Sequence, residues 1–273
     1  MQVQIGKHQL EMGGPYLTEL RDSSDIRKDT AALRERMKED GYLFIRGFHS
    51  RDRIMAAREE ILSMNTAAKK PRDVYDDCLA FLNVVNHPDV MGFFSELLGG
   101  EAMTYDYKWL RQIAKGDSTG AHYDIVYMGR GTPNVLTLWT PFGDNPIELG
   151  TLAILQGSHK WDRFKETYGK SDSDRDGIGW FTNDPIELIE KFGGQWATAD
   201  FRAGDAIMFG MYTMHASTVN MTDQIRISCD TRYQLASDPV DDRWIGKKPK
   251  GHQIEQPERH KTIEQAREEW GLA

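Results

Sequence analysis

The stretch Val135-Leu-Thr-Leu-Trp-Thr-Pro-Phe142 is one of a series of short strand-like segments, and this series decides the fold. Glycine, aspartate and proline separate the segments, which is typical of the strands of a double-sheet β roll or sandwich. The sequence therefore predicts a mainly β core over about residues 101–236. The other segments of this series cover residues 103–113, 152–155, 196–199, 205–209 and 225–234.

Helical patterns dominate the part of the chain before this core, from about residue 20 to 100. Apolar residues recur there at helical spacing, and glycines end the segments. A short apolar run at Tyr42–Ile45 predicts one buried strand within this flank. The simplest arrangement is a single domain over residues 1–273, with helices predicted at 31–38, 50–64 and 88–98.

A polar stretch at residues 161–194 interrupts the series of strands. It is rich in glycine, aspartate and serine, and a short helix is predicted in it at about 184–192. Long insertions of this kind in compact domains often cover a functional site. We therefore expect these residues to form a lid.

Composition limits the possible partners and location. The chain has 273 residues, 39% of them hydrophobic, and a formal net charge of −8. A nucleic acid or an anionic membrane surface would favour a basic patch, so neither is expected as a partner. No apolar run approaches the roughly 20 residues that span a bilayer, and the first residues do not resemble a secretory signal. Cys78 and Cys229 predict no disulfide framework. We expect a soluble cytoplasmic protein.

The strongest chemical signal is His122-Tyr123-Asp124, followed much later by His215 and Arg226. Two imidazoles and one carboxylate form the facial triad that holds Fe(II) and leaves coordination positions open. In an extended strand, residues two apart share a face, so His122 and Asp124 could bind one ion together. Arg226 offers a planar guanidinium suited to a carboxylate.

Each of these residues also has an ordinary structural interpretation. His122 and Asp124 could be a surface pair joined by a hydrogen bond, and His215 a core histidine bonded to the backbone. Arg226 could pair with Asp223 or Asp230. The ordered set of all four residues favours the metal site over these alternatives.

Several further segments give the chain a resemblance to the phytanoyl-CoA dioxygenase family of Fe(II)- and 2-oxoglutarate-dependent oxygenases. They are similar to the family in order, type and spacing, although Gln156 replaces the usual proline of one motif. Besides H-x-D at 122–124, the segments are Glu39–Phe48, Leu136–Thr140, Gly150-Thr151-Leu152, Gln156–Lys160, Ala203-Gly204-Asp205 and Arg226-Ile227-Ser228.

This resemblance implies a double-stranded β-helix, a cupin-like jelly roll, with N-terminal helices and with iron held by His122, Asp124 and His215. Arg226 would bind the far carboxylate of 2-oxoglutarate, and Ser217 would help it. The resemblance places Trp139 in the co-substrate pocket and gives Arg111 or Gln112 a polar contact there. Related halogenases have a small residue in place of Asp124, so the carboxylate indicates oxygenation.

The implied reaction consumes O₂ and 2-oxoglutarate, releases succinate and CO₂, and hydroxylates a C–H bond of a small organic metabolite. In such enzymes the substrate is bound by the region after H-x-D and by the lid. The corresponding residues here are Tyr127, Met128, Arg130, Trp180 and Phe181. Two alternatives stay open, namely a metal-dependent cupin-like isomerase or hydrolase and a non-catalytic metal- or ligand-binding β roll.

Overall fold

The fold is built on two facing β-sheets, seen in a computed structural model that describes residues 1–64 and 78–273. The strands are β1 (Gln2–Ile5), β2 (His8–Glu11), β3 (Leu17–Glu19), β4 (Tyr42–Ile45), β5 (Ala102–Thr104), β6 (Trp109–Ile113), β7 (Leu136–Pro141), β8 (Leu152–Gln156), β9 (Gln195–Thr198), β10 (Ala206–Gly210), β11 (His215–Ser217) and β12 (Arg226–Leu235).

The larger sheet has the strand order β4-β10-β7-β12-β5, and β6 also pairs with β12. The smaller sheet has the order β11-β8-β9-β3, in which β3 runs parallel to β9 and the other pairs are antiparallel. β1 and β2 form a hairpin. The prediction of a mainly β core with flanking helices is confirmed.

Helices cover the outer faces of the sheets. They are α1 (Thr30–Asp40), α2 (Arg51–Met64), α3 (Leu79–Val85), α4 (Pro88–Leu98), α5 (Ile125–Met128), α6 (Asp162–Glu166), α7 (Ser173–Asp176), α8 (Pro185–Phe192) and α9 (Ile263–Trp270). Single 3₁₀ turns lie at Ser24–Ile26, Ile147–Leu149, Ser158–Lys160, Tyr168–Lys170 and Pro257–Arg259. Among the helices of the described ranges, none has the length and apolar character needed to cross a bilayer.

Alternation along the strands assigns each face of the larger sheet to a different core. Tyr42 and Phe44 of β4 point between the two sheets, where they pack with Ile154 of β8. Leu43 and Ile45 point the other way, into the layer formed with α1 and α4. Side chains that alternate between two faces in this way are typical of a β-strand, as predicted at 42–45.

The predicted strand at residues 103–113 is wrong, because the chain forms two strands there. Tyr105 and Lys108 lie between β5 and β6, and the buried ammonium of Lys108 donates to the Tyr105 carbonyl at 2.5 Å. This contact turns the chain, so that β5 and β6 pair with different parts of β12. The predicted helix at 88–98 has the bounds of α4, whereas β1–β3, α3 and α9 were not predicted.

The insertion at 161–194 is folded against the core. Its helix α8 confirms the one predicted at about 184–192, and Asp184 accepts hydrogen bonds from the first amides of that helix. Thr182 forms a β-bridge with Ala121, one residue before His122. The insertion therefore lies directly beside the predicted metal ligands, and we call residues 161–194 the lid.

Candidate active site

Three buried side chains, those of His122, Asp124 and His215, bring their ligand atoms within 4.8 Å of one another. Asp124 Oδ1 lies 3.9 Å from His122 Nε2 and 3.8 Å from His215 Nε2. Two imidazole nitrogens and one carboxylate oxygen at this spacing can bind a single divalent ion from one side. The donor set and its geometry fit Fe(II), with coordination positions left for other ligands.

Backbone pairing aligns the two imidazoles. The amide of His122 donates to the carbonyl of His215 at 3.0 Å, and the reverse bond measures 3.1 Å. Residues that exchange both hydrogen bonds in this way stand opposite each other, so their side chains share one face. Their ring centroids are 4.2 Å apart. His215 is the first residue of β11, which fixes this pair to the smaller sheet.

Asp124 reaches the site by a different route from the predicted one. The prediction that His122 and Asp124 lie in one extended strand is wrong, because Asp124 has helical backbone angles of φ −65° and ψ −28° and precedes α5. The turn is held by Tyr123, whose buried hydroxyl donates to the Ser158 carbonyl at 2.8 Å. The chain therefore bends around Tyr123 and directs the carboxylate back toward the imidazoles.

Both imidazoles are held in a metal-binding form. His122 Nδ1 lies 2.8 Å from the Gly120 carbonyl, and His215 Nδ1 lies 3.0 Å from the Thr213 carbonyl. Because a carbonyl only accepts, each Nδ1 carries the hydrogen and each Nε2 keeps its lone pair facing Asp124. Burial, with a further contribution from His215, lowers the pKa of His122 to about 3. Burial also lowers the pKa of His215, so both rings are neutral near pH 7.

Asp124 stays ionised although it is buried. Burial alone would raise its pKa, but the nearby Arg232 guanidinium, followed by the two imidazoles, lowers it below the usual range. Arg232 Nη2 lies 3.2 Å from the carboxylate, and Thr137 donates its hydroxyl to Oδ2 at 2.5 Å. The site thus offers a metal ion one negative and two neutral ligands.

Arg226 lies in the same cavity as these ligands and is 2% exposed. Its Nη1 donates to the Gly150 carbonyl at 3.0 Å, while its buried Nε has no hydrogen-bond partner among the described residues. The alternative pairings are taken by other cations, since Asp223 binds Lys115 and Asp230 binds Arg111. Burial, with Arg111 nearby, lowers the pKa of Arg226 to about 10, which leaves it charged at pH 7. An unmet cationic donor in the cavity fits a carboxylate.

The other residues predicted for the co-substrate occupy different positions. Trp139 forms part of the cavity wall, with the Arg226 guanidinium 5.9 Å from its ring. Ser217 also lines the cavity, and its hydroxyl accepts from the Thr119 amide at 2.7 Å. Arg111 lines it as well. Gln112 follows Arg111 in β6 and so points to the opposite face of that strand. Their roles toward 2-oxoglutarate stay predictions.

Three of the predicted substrate residues lie beside the ligands. The Tyr127 ring stands perpendicular to the His122 ring at a centroid distance of 5.4 Å. Met128 is buried in α5. Trp180 of the lid is 43% exposed, and it packs so closely on Gly120 that a Cβ there would lie 2.7 Å from its ring. Only glycine at position 120 allows the lid to approach His122 this closely.

The other two predicted substrate residues are engaged elsewhere in the protein. Arg130 binds Asp172 of the lid at 2.6 Å and Glu255 at 2.8 Å. Phe181 is fully buried and packs against Phe164 with ring centroids 4.9 Å apart. The Arg130 ion pair ties the lid to the rest of the protein, whereas the Phe181 contact lies within the lid, and a direct role of either residue in substrate binding stays a prediction.

Sequence reasoning missed the polar residues that support the site. Thr137 and Arg232 contact Asp124, and Ser228 has a buried hydroxyl with no partner within residues 1–64 and 78–273. A signal was present, since Ser228 and Arg232 follow Arg226 at even intervals in a single strand and therefore share its face.

Comparison with known proteins places the chain in a family. The family described as phytanoyl-CoA dioxygenase (PhyH) matches residues 37–228, which include His122, Asp124, His215 and Arg226. The chain belongs to this family. The membership confirms the predicted Fe(II)- and 2-oxoglutarate-dependent oxygenase and argues against the alternative of a non-catalytic β roll.

Relatives support the same grouping. The chain is 24% identical to a 1-deoxypentalenic acid 11-beta-hydroxylase from Streptomyces exfoliatus, a match that covers 81% of this chain and 87% of the relative. Among solved structures, the epimerase SnoN in complex with Fe³⁺, alpha ketoglutarate and nogalamycin RO covers 85% of this chain and 97% of its own, at 18% identity and a TM-score of 0.63. The alpha ketoglutarate dependent carbocyclase SnoK covers 81% and 90%, at 18% identity and a TM-score of 0.60. These structures share the fold.

Proposed function

We propose that this protein hydroxylates a C–H bond of a small organic metabolite and releases succinate and CO₂ from 2-oxoglutarate. His122, Asp124 and His215 would hold the iron, and Arg226 would bind the far carboxylate of 2-oxoglutarate. The observation that carries the proposal is the shared cavity, in which a three-ligand cluster faces a buried guanidinium with an unmet donor.

Each side chain has a definite task in this reaction. Bound iron, with 2-oxoglutarate and O₂, supplies the oxidising power when the site is loaded. Burial keeps the two imidazoles neutral, and the Gly120 and Thr213 carbonyls hold the Nδ1 hydrogens so that each Nε2 is free to bind the metal. Arg226 orients the dicarboxylic acid, and the buried walls formed by Trp139 and Leu152 exclude water.

The carboxylate of Asp124 supports hydroxylation over halogenation. It is ionised, lies 3.8 Å from His215 Nε2, and would fill the coordination position that a halide would otherwise take. Thr137 and Arg232 hold this carboxylate from the far side. His122, Asp124 and His215 would thus supply a complete set of three protein ligands to the metal.

The names of the relatives support a small-molecule substrate without identifying it. The similar hydroxylase is named for a carboxylic acid, and SnoN was solved with nogalamycin RO. SnoN and SnoK are named as an epimerase and a carbocyclase, so a shared fold accommodates several outcomes. The product must therefore be analysed as well as the succinate.

The decisive experiment has two stages. Anaerobic addition of Fe(II) and then 2-oxoglutarate to the metal-free protein should produce a visible charge-transfer band, because the keto acid binds through two oxygens to the open side of the ion. A panel of metabolites is then screened for succinate release, and products are examined by mass spectrometry for one added oxygen atom. A protein that binds Fe(II) but shows no band with 2-oxoglutarate would refute the proposal.

Arg130→Ala tests the substrate part of the proposal. If Arg130 contacts the substrate, turnover of the true substrate should fall while Fe(II) and 2-oxoglutarate bind as in the wild type. Asp172→Asn serves as the matched control, because it removes the ion-pair partner of Arg130 in the lid but keeps the arginine and its second partner Glu255. Equal losses in both variants would assign Arg130 to the lid instead of the substrate.

A further inference from the structure

One face of β12 carries a row of buried polar residues through the interior of the roll. Arg226, Ser228, Asp230 and Arg232 are each at most 6% exposed. They alternate with residues that face the helical layers, such as Ile227 and Tyr233. Arg226 faces the proposed co-substrate position, whereas Arg232 lies at the other end of the row, beside the metal ligand Asp124.

Arg232 is held on three sides. Its Nη2 lies 3.2 Å from the Asp124 carboxylate, and its Nε donates to Met128 Sδ at 3.1 Å. Its guanidinium also lies 4.6 Å from the centroid of the Trp109 ring. At 1% exposure, a cation here is desolvated, so its interaction with a nearby anion is only weakly screened.

The two oxygens of Asp124 have different surroundings. Oδ1 faces the two imidazoles, at 3.9 Å from His122 Nε2 and 3.8 Å from His215 Nε2. Oδ2 accepts the Thr137 hydroxyl at 2.5 Å. Arg232 Nη2 lies within 3.2 Å of both oxygens, so it opposes rotation of the carboxylate. One oxygen is thus presented to the metal and the other is retained by the protein.

We propose that Arg232, assisted by Thr137, is a positioning residue that restricts Asp124 to binding the metal through a single oxygen. Without this restraint the carboxylate could rotate and bind through both oxygens, which would occupy a position that 2-oxoglutarate or O₂ requires. The inference rests on the proposed function and adds to it a residue that acts through Asp124.

The test compares Arg232→Gln with Arg232→Lys and with Arg243→Gln. Arg243 is the matched control, because it is equally buried and ion-paired but binds Asp174 and Asp241, away from the metal cavity. Two properties are measured without turnover, namely the visible spectrum of bound Co(II), which reports coordination number, and the charge-transfer band formed by Fe(II) with 2-oxoglutarate.

Arg232→Gln should change the Co(II) spectrum, weaken metal binding by about 10- to 100-fold, and reduce the band with 2-oxoglutarate. Arg232→Lys keeps the charge and should restore these properties in part, whereas Arg243→Gln should leave them unchanged. A wild-type Co(II) spectrum and wild-type metal affinity in folded Arg232→Gln would overturn the inference. Absence of the band in the wild type would instead refute the proposed function.

Thr137→Val keeps the inference testable if Arg232→Gln does not fold. This change conserves shape and charge and removes only the hydrogen bond to Oδ2. We expect a smaller shift of the Co(II) spectrum in the same direction as that of Arg232→Gln or Arg232→Lys. An unchanged spectrum in Thr137→Val would count against restraint of Oδ2 and overturn the inference.

Discussion

The metal cavity and the lid adjoin each other, yet they are stabilised in different ways. In the cavity, strands β6, β7, β8, β11 and β12 supply most of the side chains, and the backbone pairing of His122 with His215 sets the spacing of the imidazoles. The lid packs into the hydrophobic core and is also held by ion pairs with distant segments. Arg243 of the C-terminal region binds Asp174 and Asp241, each at 2.6 Å, and donates to the Tyr127 carbonyl at 2.9 Å.

This difference matches the different requirements of metal binding, which takes place in the cavity, and of substrate access, which we expect the lid to control. A metal site needs atoms fixed to within tenths of an ångström, which paired strands provide. A segment that we expect to cover a substrate has only to hold its place, and side-chain ion pairs can do so. Variants of the cavity should therefore affect cofactor binding, and variants of the lid should affect local stability and substrate turnover.

The largest expected effect is that of His215→Ala. Removal of one imidazole leaves two protein ligands, so Fe(II) binding and succinate release should both be lost. Anaerobic Fe(II) titration and a succinate assay measure the two losses, with thermal unfolding of the metal-free protein as the control. Activity near the wild-type level would exclude His215 as a ligand.

Arg226→Ala should have the next largest effect. Loss of charge-assisted hydrogen bonds worth about 3 kcal/mol should raise the apparent Kd for 2-oxoglutarate by roughly 100-fold. Fe(II) affinity should change little, because Arg226 does not contact the three ligands. Titration of the charge-transfer band with 2-oxoglutarate gives both values. An unchanged Kd for 2-oxoglutarate would show that Arg226 has only a structural role.

Arg243→Met tests the lid. It leaves Asp174 and Asp241 buried without their cation, and breaking a buried pair in this way costs about 3 kcal/mol. Amide hydrogen exchange should increase in the peptides of the lid, while Fe(II) and 2-oxoglutarate bind as in the wild type. A loss of cofactor binding as large as that of Arg226→Ala would show that lid and cavity are not separable.

The smallest expected effect is a difference in acid sensitivity of the metal-free protein. The pKa of His122 is lowered from 6.5 to about 3, mainly by burial, so the unfolded chain binds an extra proton between these values. Stability near the ligands should therefore fall as the pH drops below about 6.5.

The lid carboxylates respond at lower pH. For Asp172 and Asp174, burial alone would raise the pKa, but hydrogen bonds and the nearby arginines lower it below 3.8. Their contribution should persist until the pH falls through these lowered values. Hydrogen exchange at pH 7 and pH 5, corrected for intrinsic rates, should show loosening around His122 and His215 before the lid. Equal increases in hydrogen exchange around the two histidines and in the lid would contradict this difference between the cavity and the lid.

More of the cavity than of the lid could be predicted from the sequence, and the reason is physical. Few side chains bind Fe(II), so His122, Asp124 and His215 could be predicted from residue type and order alone. The bend at Asp124 could not, because it depends on the packing of Tyr123 against Ser158. The strand period would have indicated Arg232, which lies six residues after Arg226 on the same face.

The contacts of the lid could not be predicted from local patterns. Arg243 and Asp174 are 69 residues apart, and either could have remained a solvated surface charge. The ion pair of Arg130 could not be predicted either, because its partner Asp172 is 42 residues away. Ion pairs of this kind depend on the final fold, and no spacing rule links their members.

Because successive side chains of β12 point to opposite faces, the number of residues in this strand matters as much as their types. Losing or gaining one residue inside β12 would rotate everything beyond that point by half a turn. Arg232 would then move out of the roll, and its place beside Asp124 would be taken by Tyr233 after a deletion or by Thr231 after an insertion. Loops before and after this strand can change length without such consequences, so relatives should tolerate single-residue insertions and deletions in those loops but not between Arg226 and Arg232.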